Sequence, residues 1–106
     1  MNTAVIERLA DAGRLDRIFV DGEWLLPAGQ QRCAVIDPST EEPVAEIALG
    51  NAQDVDAAVA AARRAFATWS VSSPQSRAEF LDRIHALILE RTEAFAQAIS
   101  QEMGCA

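Results

Sequence analysis

The chain predicts an α+β fold of two β-hairpins followed by three helices, and three observations carry that prediction. Asp21-Gly22 interrupts a short β-prone stretch at the position of a tight hairpin turn. A turn rich in Pro and Ser at 37–43 separates two further apolar runs. From Asn51 onward, apolar residues recur at the i, i+3, i+4, i+7 spacing of an amphipathic helix. The 106 residues suit one domain, and a chain of that length can bury a core without disulfides or metals.

In order, Thr3 can cap a short helix carrying Val5, Ile6 and Leu9 on one side, with Gly13 as a stop signal. Residues 1–16 thus read as a helical extension, and residues 17–106 as the body of the chain. Strands are expected at about 17–20 and 23–26, because both residues of an Asp-Gly turn can accept positive φ. Pro27 and Gly29 break the chain before a third strand at 32–36. In the turn that follows, Pro38 fixes φ and Asp37 can bond the backbone ahead of it. A fourth strand at 44–49, ended by Gly50, completes a second hairpin over 33–49.

The helix at 51–69 organises the rest. Val55, Ala58, Val59, Ala62, Phe66 and Trp69 form its apolar stripe, and Asn51 with Asp54 forms a capping pair. Its alanines keep helix propensity high and let another element approach closely. Ser73 followed by Pro74 starts the next helix. Phe80, Leu81, Ile84, Leu87 and Ile88 give that helix its apolar face. Thr92-Glu93 marks a joint, after which Phe95, Ala98, Ile99 and Met103 continue to Gly104.

A net charge of −7 disfavours a general nucleic-acid surface or docking on anionic lipid, both of which need excess Lys and Arg. No apolar run approaches the length of a membrane span, and the first residues carry charges where a secretory signal needs its apolar segment. A cytoplasmic location with reduced thiols is the expectation. The glycines at 13, 22, 29, 50 and 104 are dispersed, so no loop is built to cradle phosphate. His85 could be a general base but reads better as an ordinary helix histidine. Cys33, in a strand, reads as a small packed hydrophobe; Cys105 follows a helix C-terminus, where the dipole opposes a thiolate. The Glu41-Glu42 and Glu7/Asp11 pairs read as solvated charge, and Trp24 and Trp69 as core anchors or interface residues.

Five ordered blocks nevertheless form a pattern. They are Phe19 to Trp24 (FVDGEW), Val35 to Glu42 (VIDPSTEE), Asp54 to Phe66 with Trp69, Arg77 with Leu81, and Glu102 to Gly104. In order and spacing they resemble the N-terminal region of aldehyde dehydrogenases, over residues 17–104. Glu41 stands at a turn position where that family often has Gly, and Cys105-Ala106 where it often continues Lys-Pro or Ala-Pro.

The resemblance implies that these residues are part of the α/β aldehyde dehydrogenase fold. It places the family's nucleophilic cysteine, general-base glutamate and nucleotide-binding βαβ units downstream. In the family the thiolate attacks an aldehyde, hydride passes to NAD or NADP, and water releases the acid. No catalytic or cofactor-binding residue is therefore expected here, and neither cofactor is expected on this chain alone. The resemblance also implies a structural monovalent-cation site at the backbone carbonyls of Val35 and Ile36 and the side chain of Glu102. That site is incomplete in this chain, since the family draws another ligand from downstream; taken alone, Val35 and Ile36 read as core strand residues and Glu102 as a charge at a helix end. The expected partners are the remainder of a dehydrogenase subunit and, for the chain by itself, further copies of itself through its apolar faces. An independent binding or assembly module is the competing reading.

Overall fold

The computed structural model describes residues 4–104, so the Thr3 cap and Cys105 lie outside the described residues. Helix α1 (Ala4–Asp11) ends at Gly13, whose φ of 72° turns the chain into a short 3-10 turn at Arg14–Asp16. Strands β1 (Ile18–Val20) and β2 (Glu23–Leu25) pair antiparallel, with Phe19 opposite Trp24. Asp21 and Gly22 sit at φ 55° and 76°, the two left-handed residues that a tight two-residue hairpin requires.

The second hairpin pairs β3 (Arg32–Asp37) with β4 (Glu42–Ala48). β4 begins two residues earlier than the sequence suggests and runs through Pro43. The ladder accommodates this with a register shift between Val35 and Ile36, where Pro43 lies opposite Ile36. Proline has no N–H to donate, and bulges are where sheets tolerate it. The turn between these strands is built on Asp37, which is 2 % exposed. Its Oδ1 accepts from the Ser39 N–H at 2.9 Å and from the Ser39 hydroxyl at 2.7 Å. Glu41 then takes a left-handed φ of 61°, which accounts for the glycine common at this position in the resembling family.

The three long helices are α2 (Ala52–Trp69), α3 (Pro74–Glu90) and α4 (Thr92–Met103). Asn51 and Asp54 form the reciprocal capping box, and the Ser73 hydroxyl accepts the Ser76 N–H at 3.1 Å behind Pro74. At the joint, the Thr92 hydroxyl donates to the carbonyls of Ile88 and Leu89. Gly104 closes α4 at φ 69°. A Cβ on Gly104 would stand 3.0 Å from the Ser39 nitrogen, so this glycine lets α4 dock against the Asp37-Pro38 turn.

The arrangement is extended, 48 × 34 × 21 Å with a radius of gyration of 16.8 Å, against about 13 Å for a compact domain of this length. Among the described residues Ala61 is the one buried apolar side chain. The chain length allows a core, yet the elements here are spread into an open layer. α1 and the 3-10 turn lie against β4 and α4, whereas β1–β2 lies against α2. No residue of α3 is buried.

Candidate functional site: an open apolar face and two anchored junctions

Helix α2 has two apolar sides, and they meet different fates. The small residues Ala58, Ala61, Ala62 and Ala65 face the first hairpin at Phe19–Gly22. The large residues Val55, Val59 and Phe66 are 59 %, 48 % and 67 % exposed. The sequence reads Val55 to Trp69 as one stripe toward a core. In the structure the covered residues on this side are Ala61, which is buried, and Ala58, which is half-buried, while Ala62 and Ala65 stay exposed beside the hairpin. The Trp69 ring meets Phe80 edge-on, with centroids 5.3 Å apart, which joins the exposed side of α2 to that of α3. Phe80, Leu81, Ile84 and Ile88 extend the surface along α3, all exposed. Trp24 is instead held on the first hairpin, tilted against Phe19 at 5.1 Å with the Arg14 guanidinium above its ring.

The first junction is centred on Asp54. Its carboxylate accepts the backbone N–H groups of Ala28 (2.7 Å), Asn51 (2.8 Å) and Gly29 (3.0 Å). Those bonds, led by the one from Ala28, hold its pKa below the ordinary carboxylate value, against the opposing effect of desolvation. The capping role is legible in the sequence, but the bonds to the 27–29 segment are not. A sequence signal for them exists in Gly29: a Cβ there would stand 2.7 Å from the Leu49 carbonyl oxygen and 3.0 Å from the Asn51 nitrogen. Nearby, Arg32 bonds Asp16 (2.7 Å) and Glu46 (2.9 Å), tying the 3-10 turn to both strands of the second hairpin.

The second junction is a small apolar cavity beneath α1. It is lined by Ile6, Leu9, Val35, Val44 and Ile47, with Ala98 and Glu102 contributed by α4. Val35 and Glu102, two of the three cation-site positions implied by the resemblance, thus border one space. Ile36 is 45 % exposed, on the edge rather than in a core. It lies opposite Pro43 at the register shift of the second hairpin.

The candidates for covalent chemistry stay apart. Cys33 is exposed rather than packed, since a two-stranded ladder covers little of either strand. Its Sγ is directed at the Ala34 carbonyl, 3.5 Å away, rather than at a base. His85 is exposed on α3. Among the described residues no group of three or more His, Cys, Asp or Glu side chains is placed to hold a metal ion. The strands form two separate antiparallel pairs, so the described residues do not form the parallel βαβ crevice and glycine-rich turn that receive a dinucleotide.

These features define a class: an open α+β segment of a larger α/β protein, with anchored junctions and an unpartnered apolar face. Residues 24–106 match the model of the aldehyde dehydrogenase family. The chain belongs to that family and corresponds to the N-terminal portion of an aldehyde dehydrogenase. It is 42 % identical over 86 residues to a 3-succinoylsemialdehyde-pyridine dehydrogenase of a Pseudomonas species, a match covering 81 % of this chain and 18 % of that protein. In structure it resembles aldehyde dehydrogenase C of Pseudomonas syringae, solved with NAD+ and octanal. The TM-score there is 0.80 and the identity 53 %, over 82 % of this chain and 18 % of that one. Betaine aldehyde dehydrogenase of Staphylococcus aureus, solved with NAD+, matches at a TM-score of 0.82 and 28 % identity, over 95 % and 20 % of the two chains. The chain therefore spans about a fifth of the length of the relatives it matches. Among the described residues no helix is long and apolar enough to cross a membrane.

Proposed function

We propose that this chain serves as the N-terminal portion of a cytoplasmic NAD(P)-dependent dehydrogenase subunit that oxidises an aldehyde to a carboxylic acid. Its part in that subunit is structural: residues 17–106 form the start of the nucleotide-binding domain, and residues 1–16 are a helical extension. The observation that carries this reading is the exposed apolar surface of α2 and α3, which the rest of a subunit would cover, together with the family match. The NAD+ held by the two structural relatives supports NAD as the cofactor of the whole enzyme, with NADP as the alternative. The chain by itself supplies no nucleophile, base or dinucleotide site, and it is inactive. In the whole subunit the carbonyls of Val35 and Ile36 and the carboxylate of Glu102 contribute to a structural monovalent-cation site completed by residues outside this sequence.

Two experiments test the reading. The pure 106-residue chain should form no NADH from NAD+ and an aldehyde; aldehyde-dependent NADH formation would overturn the structural role. Intact-mass measurement of the native polypeptide, captured with an antibody against this segment, should give a product several times heavier than 11.4 kDa. A native product of 11.4 kDa would instead favour an independent assembly module, the second reading that the same open face supports.

A further inference from the structure

We draw no further inference here: the strongest candidate, the small apolar cavity that α1 covers between the second hairpin and α4, belongs with Val35 and Glu102 to the junction already described, and nothing in the structure shows what would occupy it.

Discussion

The Asp54 carboxylate receives the Ala28 backbone N–H at 2.7 Å, across 26 residues of sequence. One side chain therefore caps α2 and fixes the segment that joins the two hairpins. Asp54→Ala removes both functions, whereas Asn51→Ala removes only its half of the cap. Asn51→Ala should cost about 1 kcal/mol, read as a shift of the urea midpoint. Asp54→Ala should additionally speed hydrogen exchange at Ala28 and Gly29. Unchanged exchange at those two amides would show that the tether does not hold them.

Acid should loosen both turns that depend on aspartate. The pKa of Asp54 is lowered by backbone donors, led by Ala28, and that of Asp37 by Ser39, first through its hydroxyl and then its N–H. A lowered folded pKa means that the unfolded chain takes up the proton first. The stabilisation is thus fully present above the ordinary value of 3.8 and is lost as pH falls through the folded values below it. Carboxyl carbon shifts followed by NMR should place both midpoints under 3.8. Midpoints at or above that value would contradict the bonding described.

Glu41 occupies a backbone conformation that favours glycine, with φ at 61°. Glu41→Gly should raise stability by about 0.5–1 kcal/mol, the relief of that conformation less the extra freedom of glycine in the unfolded chain. A lower urea midpoint for the variant would count against a strained turn.

Gly29→Ala should act in the opposite sense. Its Cβ would fall 2.7 Å from the Leu49 carbonyl oxygen, a backbone atom that cannot rotate away. A loss of about 1–3 kcal/mol is expected, the range for overpacking. A neutral substitution would mean that the 27–29 segment shifts freely.

Cys33 should be alkylated by iodoacetamide in the folded chain, since its side chain is exposed. Peptide mapping after brief labelling without denaturant reads this directly, and protection of Cys33 until urea is added would restore the packed reading.

Element order and most boundaries are legible in the sequence, because local signals set them: Asp21-Gly22 for the first hairpin, Asn51 with Asp54 and Ser73-Pro74 for helix starts, Gly104 for the last stop. What escapes the sequence is relational. Nothing in the run from Val55 to Trp69 says that the hairpin will take the alanine side and leave Phe66 outside. Periodicity identifies an apolar face but not its occupant. Nor does Pro43, read alone, announce that it lies inside β4, since its place depends on the shift opposite Ile36. Of the implied cation site, Val35 and Glu102 border the same cavity, and the ligand expected from other sequence cannot be read from this one.

The two-sided character of α2 also bears on the order of events during synthesis. The hairpin contact on its alanine side joins residues about forty apart, as in the Arg64–Asp21 pair, whose members are 43 positions apart. Such short loops close quickly. That side can therefore be settled soon after residue 69 leaves the ribosome, while the flank bearing Val59 and Phe66 stays uncovered. For that interval the nascent chain carries a sticky half-built helix layer, the kind of surface that chaperones hold.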